Sequence, residues 1–452
     1  MVIENKIFTN NNLINLLIAL IPLSLILGNS ATNINIVLIC ILGIAIYRFD
    51  IFKMNKKKYL YLLYGFFSYL ILITLVTNIP ILTNDIFLDE YSYFWIGRNA
   101  TIDTYSENIF KSFFFLRFLV FFLVINKIVE KKDFNLKFFF ISCSFFAILI
   151  GFDILIQITF GKNLIGYPIT AGRPSSFFGQ EWVAGGFLQK FSLFFIIAMI
   201  ALPKNNKKHL IPLILFIIFF CIILLTGNRM PLLLYILSIL IYFVIQKKIK
   251  EIILFFLVIL FIGFSVFKFL PQSRMKTNIV LAFNGSKIIL TQLVNKKEIE
   301  DEQGFFVLRD RGLYFLHFNS AIQVWKKNKV FGTGIKSFKI NCTPTKHDRN
   351  QLCNNHPHNY FLELLVDVGV IGLVLIYLIF VFCIFDFFKF YRFSSSLNQK
   401  LFSLPFFLIT VTEFFPLKSS GSFSSTSNAI IIFFMLAVTI GFINSKNFNR
   451  DR

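Results

Sequence analysis

The chain has 452 residues, of which 56% are hydrophobic and only 15% charged, and its mean hydropathy is +0.72. Soluble domains carry about 25% charged residues, so this chain has too few charges to cover a water-facing surface. The composition excludes a disordered chain, which would be charged and poor in aromatics. It also excludes a small disulfide-stapled domain, since there are only 6 Cys.

What remains is an all-α polytopic membrane protein. Long apolar runs argue against a β-barrel, whose strands are short and alternate in polarity. The net charge of +22 would suggest nucleic acid in a soluble protein. In a membrane protein it fits lysine-rich cytoplasmic loops, and no nucleic-acid partner is expected. The 63 Phe, with many Ile, Asn and Lys, read as a compositional bias without functional weight.

A spanning helix needs about 20 apolar residues, and about twelve stretches qualify. In chain order they are 11–29, 33–49, 59–80, 109–127, 137–160, 183–203, 210–226, 229–246, 251–270, 359–386, 401–418 and 426–444. The first has no basic leader and no small-residue cleavage site, so it reads as a retained helix. Lys and Arg collect in alternate connections: Lys56 to Lys58, Lys131 and Lys132, Lys207 and Lys208, Lys247 and Lys248, and Lys389 and Arg392. This asymmetry predicts both termini in the cytoplasm. The connection at 81–108 is acidic instead, with Asp85, Asp89, Glu90, Asp103 and Glu107.

Residues 271–358 form a polar stretch on the opposite, periplasmic side. Loops this long are uncommon unless functional. A helix is expected within it, from Leu313 to Trp325. Four segments result: 1–160, N-terminal helices; 161–270, central helices with Arg-bearing loops; 271–358, the periplasmic loop; and 359–452, C-terminal helices. Cys342 and Cys353 both fall in the loop, on the oxidising side, where a disulfide between them is expected. Cys40, Cys143, Cys221 and Cys383 fall in spans, as small core residues.

The polar clusters lie on the periplasmic side. The first is Gly172 to Gly179, containing Arg173. The second is Thr226-Gly227-Asn228-Arg229, a tight turn between two spans. The third holds Arg309, Arg311 and the glycines Gly332 and Gly334. The fourth is His356-Pro357-His358-Asn359 at a helix start. Each has an ordinary explanation: an interfacial anchor for Arg229, a loop charge for Arg173, a turn for the glycines. Yet an Arg in a turn too short to leave the membrane is costly unless it meets an anion. Asn359 is a plausible N-cap. Glu363 and Asp367 share one helix face and would orient a histidine or face a lumen. Arg117 and Asp153 lie inside spans and would pair. The histidines lack a third ligand at sensible spacing, so no metal is expected. Arginines bind phosphate and histidine is the natural base near neutral pH. Together they point to a lipid-phosphate or diphosphate substrate whose head group undergoes acid–base chemistry.

At these residues the chain resembles the O-antigen ligase and polymerase family of bacterial membrane glycosyltransferases. In that family a His and an Asn, Ser or Gln are followed by nine residues, a Gly, two residues, and a Gly, Thr or Tyr. Here His358-Asn359 is followed by nine residues, Gly369, two more and Gly372. Thr226 to Arg229 is similar to the family's Thr-Gly-Ser-Arg-Gly element, with Met230-Pro231 replacing the small residues. Val330 to Gly334 resembles its Pro-hydrophobic-Gly-x-Gly turn, without the Pro. Arg173 to Gly179 resembles its Arg-rich loop. The likeness covers about 165–375; the first four spans match only in hydropathy.

The resemblance implies a GT-C-like fold of about twelve transmembrane helices with one large periplasmic loop, in the bacterial inner membrane with its site facing the periplasm. It implies a metal-independent glycosyltransferase with no cofactor. The donor would be a glycan on undecaprenyl pyrophosphate, and the acceptor lipid A–core or, in a polymerase, a growing glycan. His358 is then the general base, with Arg229 and Arg173 holding the pyrophosphate. Arg309, Arg311, Asn359 and His356 are further substrate contacts. Two other classes stay open: a transporter or flippase, which would be expected to show internal repeats, and a non-enzymatic assembly partner.

Overall fold

The computed structural model describes residues 10–83, 102–170, 172–201, 210–269, 313–342, 353–419 and 421–445. Among these residues every named element is helical, and β-structure is limited to isolated bridges. All twelve apolar stretches contain helix. In chain order the helices are α1 (Asn10–Ala19), α2 (Ile21–Leu27), α3 (Asn29–Tyr47), α4 (Lys57–Thr83), α5 (Ile102–Glu130) and α6 (Leu136–Phe160). Then come α7 (Ala184–Ala201), α8 (Leu210–Leu225), α9 (Arg229–Ile245) and α10 (Ile249–Phe269). The last group is α11 (Leu313–Lys327), α12 (Phe338–Asn341), α13 (Tyr360–Phe393), α14 (Leu397–Glu413) and α15 (Thr426–Asn444).

Among the described residues seven helices are long and apolar enough to cross a membrane: α3 to α7, α13 and α15. Two further apolar helices, over 211–225 and 229–245, are shorter. The chain is a multi-pass membrane protein. The stretch expected as one span at 11–29 is two helices, because Pro22 opens α2 and lacks the N–H that would continue α1. The stretch at 401–418 is helical only to Glu413, short of Pro416.

α15 is the central helix, with 83% of its apolar window buried. It packs along α5 and α14, while α4 joins α5 to α13. Lipid tails are as apolar as the helices, so shape-matched packing must hold such a bundle. Phenylalanine supplies much of it. Phe115, Phe118 and Phe433 lie together between α5 and α15, with ring centroids 5.2–5.9 Å apart. Phe139, Phe194, Phe406 and Phe434 form a second group joining α6, α7, α14 and α15. The residues set aside as compositional bias are thus the packing material of the core. Ile41, Phe145, Phe152, Leu260 and Phe261 are exposed on the outside, as a lipid-facing surface requires.

The two ends of the bundle differ. At the basic end, Asp386 of α13 receives Lys56 at 2.9 Å and Lys58 at 2.8 Å, and accepts from the Tyr59 hydroxyl. At the other end lie the polar motifs, and this is called the motif end below. The expected loop helix runs Leu313–Lys327, slightly longer than expected, and rests on α13. With α12 it covers a small second core of Ala321, Val324, Phe338, Cys342, Cys353 and Val366. Cys342 and Cys353 are disulfide-bonded. Residues 271–312, including Arg309 and Arg311, and residues 343–352 lie outside the described residues.

Candidate functional site

The geometry of the motif end follows from a break in α13. Gly369 has φ 60°, ψ −166°, so the helix is interrupted there. A break in an apolar helix strips partners from backbone groups, which must be satisfied inside the protein. The Val330–Gly334 turn supplies them. Thr333 N and Gly334 N donate to Val366 O (3.0 Å) and Asp367 O (2.8 Å). Val370 N and Ile371 N donate to Lys329 O (3.1 Å) and Val330 O (3.3 Å). A Cβ on Gly332 would lie 2.5 Å from Gly369 N, and one on Gly369 would lie 2.3 Å from Val330 O. The Gly-x-Gly turn and the Gly-x-x-Gly helix are therefore two halves of one junction. The far side of the turn rests on α4, where Thr77 Oγ1 donates to Thr333 O and Ile335 N donates to Thr74 Oγ1.

Glu363 and Asp367 are buried above and at this junction, and neither contacts a histidine among their recorded partners. Asp367 accepts from Lys336 N, Ser337 N and Ser337 Oγ. Glu363 accepts from Ser422 Oγ, Phe423 N and Ser424 Oγ. Both carboxylates hold irregular backbone in place. The expected Arg117–Asp153 pair is not formed either. Arg117 donates to Phe114 O and Thr426 Oγ1. Asp153 accepts from Leu164 N (2.8 Å) and Ser176 Oγ (2.6 Å), pinning the 161–179 loop to α6.

Three imidazoles meet just before α13. The His358 ring lies 4.2 Å from His356 and 4.9 Å from His317 of α11, centroid to centroid. His358 has φ +56°, a left-handed conformation uncommon for a residue with a side chain and often tied to function. Its Nε2 faces Asn354 Nδ2 at 3.2 Å. Burial lowers its pKa to about 4, with the charge of His356 adding to the effect. His356 is also lowered to about 4, by burial first and then by His317 and Lys336. His358 is thus an uncharged imidazole at neutral pH, free of a proton on one nitrogen. Asn359 is the N-cap of α13, accepting from Leu362 N; its amide donates to Pro416 O and Lys418 O. That side chain therefore caps the helix and ties it to the 416–418 segment.

The arginines approach through Trp182. The Arg173 guanidinium lies 4.9 Å from the Trp182 ring. Trp182 O accepts from Asn228 Nδ2 at 2.9 Å, and Arg229 follows as the exposed first residue of α9. Gly185 lets α7 meet this turn, since a Cβ there would lie 2.5 Å from Thr226 Oγ1. Lys190, His317, Lys336 and Lys418 were missed by sequence reading. Lys190 had a legible signal, a lone charge inside an apolar stretch. The others are visible only once α11 and the 414–425 loop are folded over the motif end. Among the described residues no three of His, Cys, Asp and Glu are arranged to hold a metal ion.

A family model described as O-antigen ligase matches residues 214–377. That match, over about a third of the chain, supports the resemblance to the O-antigen ligase and polymerase family. The matched region runs from α8 through Arg229, the Val330–Gly334 turn and His358 to just past the break in α13. It points to a glycosyltransferase-like membrane enzyme acting on lipid-linked glycans. No curated protein matches the chain.

Proposed function

We propose that the protein is an O-antigen ligase-like glycosyltransferase, moving a glycan from undecaprenyl pyrophosphate to lipid A–core at the periplasmic face of the inner membrane. The observation that carries this is His358: uncharged, in a left-handed backbone position, within the family-matched region and just before the start of α13.

An acceptor hydroxyl attacks the anomeric carbon of the donor sugar. The bond from that carbon to the pyrophosphate oxygen breaks, and the hydroxyl proton passes to His358. The leaving pyrophosphate gains negative charge, which Arg229 and Arg173 offset. The donor is already activated, so this chemistry requires neither nucleotide nor metal. Arg309 and Arg311 belong to the same reading as further pyrophosphate contacts. A polymerase that passes the glycan to the next repeat unit would use the same groups.

The test is a surface-glycan gel of a deletion strain, complemented with His358→Ala or Arg229→Ala. Each variant is expected to insert normally and to lose transfer by about a hundredfold or more. Wild-type-like transfer by both would sink the mechanism. In the deletion strain itself, polymer trapped on the lipid carrier beside bare lipid A–core marks a ligase. Lipid A–core capped with one repeat unit marks a polymerase.

A further inference from the structure

One buried charge cluster at the motif end has no part in this mechanism. Glu413, at the end of α14, lies between two ammonium groups. Lys190 of α7 is 3.3 Å from Glu413 Oε1, and Lys418 pairs with Oε2. The side chains of Glu413 and Lys418 are only 1% and 3% exposed, and that of Lys190 is 15% exposed. Two lysines on one carboxylate leave one formal positive charge unbalanced. Among the described residues neither lysine is paired with a second carboxylate. Buried charge of one sign is unfavourable unless something completes it.

The two lysines are held differently. Lys418 is fixed: its ammonium also lies 4.3 Å from the Tyr360 ring centre. Lys190 is the looser arm. It donates to Gly186 O at 3.1 Å, and its contact with Glu413 Oε1, at 3.3 Å, is the longer of the two ion pairs. The cluster also sits between the two halves of the site. A Cβ added to Gly186 would lie 3.9 Å from the Lys190 ammonium and 3.9 Å from Pro231, two residues after Arg229. On the other side, Lys418 O accepts from Asn359, the neighbour of His358.

We infer that the Lys190–Glu413–Lys418 triad is an anion subsite that receives a diphosphate, between the turn bearing Arg229 and the His358–Asn359 segment. Lys190 leaves Glu413 and binds a phosphate oxygen, while Glu413 keeps Lys418 as a neutral pair. The unbalanced charge of the empty site thereby becomes the attraction for the ligand, and in the bound state each lysine has an anionic partner of its own. The inference rests on the diphosphate-donor reading above and names further residues that would hold that group.

The full-length protein in detergent is titrated with farnesyl diphosphate, with farnesol and with inorganic pyrophosphate. Lys190→Met is expected to weaken farnesyl diphosphate about ten- to a hundredfold, the loss of one charge-assisted contact. Lys190→Arg is expected to keep most of the affinity, and farnesol not to bind. Glu413→Gln separates this role from a structural one. It breaks the α7–α14 cross-link but leaves both cations, so an anion subsite keeps or gains affinity. Wild-type affinity in Lys190→Met overturns the inference. So does an equal loss in Glu413→Gln, or the absence of diphosphate binding by the wild type. If inorganic pyrophosphate shows the same Lys190 dependence, the subsite reads the diphosphate itself. If only the prenylated probe does, it reads a lipid headgroup. Should His358→Ala leave transfer intact while Lys190→Met weakens binding, the proposed mechanism falls and the subsite stands.

Discussion

The two ends of the bundle use charge in opposite ways. At the basic end, Lys56, Lys58 and Asp386 form an ion-pair cluster whose side chains are 29%, 40% and 15% exposed. Water and salt screen such pairs, and each contributes about 0–1 kcal/mol. At the motif end, Glu363 and Asp367 are 2% and 4% exposed and accept hydrogen bonds from loop N–H and hydroxyl groups. There a carboxylate does the work that helix geometry does elsewhere. It satisfies backbone that cannot satisfy itself. Charge at one end is paired where water reaches it. Charge at the other permits irregular chain beside an apolar bundle.

Substitutions should break this contrast in a definite order. The largest effect is expected from Gly369→Val. A β-branched side chain at φ 60°, with its Cβ 2.3 Å from Val330 O, closes the junction to the turn. A loss of several kcal/mol is expected, with no folded protein recovered in detergent. A normal melting temperature would mean that the junction is not needed. Glu363→Gln keeps the shape but replaces one acceptor oxygen of a group that four loop donors share. It should cost about 1.5–3 kcal/mol, seen as a lower Tm with the fold retained.

The next prediction concerns pH. The His358 pKa of about 4 lies below its ordinary 6.5, so its neutral form persists as the medium is acidified. The acid limb of the transfer rate should lie well below 6.5 in a detergent assay. The same shift makes folding favourable above pH 6.5, with that contribution lost as pH falls toward 4, because the unfolded chain takes up the proton first. His356→Ala removes a neighbouring charge and some burial, so the acid limb should move upward toward 6.5. An unmoved limb would mean that His358 is not the titrating base. The smallest effect belongs to the basic end: Lys58→Ala should change stability by less than about 1 kcal/mol, since Lys56 still pairs with Asp386.

Much of this architecture is legible in the sequence because hydropathy has a length scale. Each apolar stretch became helix, and Pro22 and Pro416 account for the two that were drawn too long. Spacing found the His358–Gly372 motif but not the break at Gly369. A glycine in an apolar helix signals close packing and backbone freedom equally well, and only the docked turn decides between them. Glu363 and Asp367 were placed on one face correctly, yet their partners come from 336–337 and 422–424. No local pattern joins those segments. Lys418 stands at the end of an apolar run and reads as an interfacial lysine until the 414–425 loop folds back over Asn359. What sequence leaves out, then, is the set of contacts made between separate loops at the motif end.

The break in α13 has a consequence for biogenesis. Val366 O, Asp367 O, Val370 N and Ile371 N find their partners in residues 329–334, which leave the ribosome before α13 does. A break made without that turn would expose four backbone groups to hydrocarbon. The insertion machinery would therefore handle α13 as one unbroken rod. The turn and the broken helix complete one another, since each satisfies backbone groups that the other leaves open.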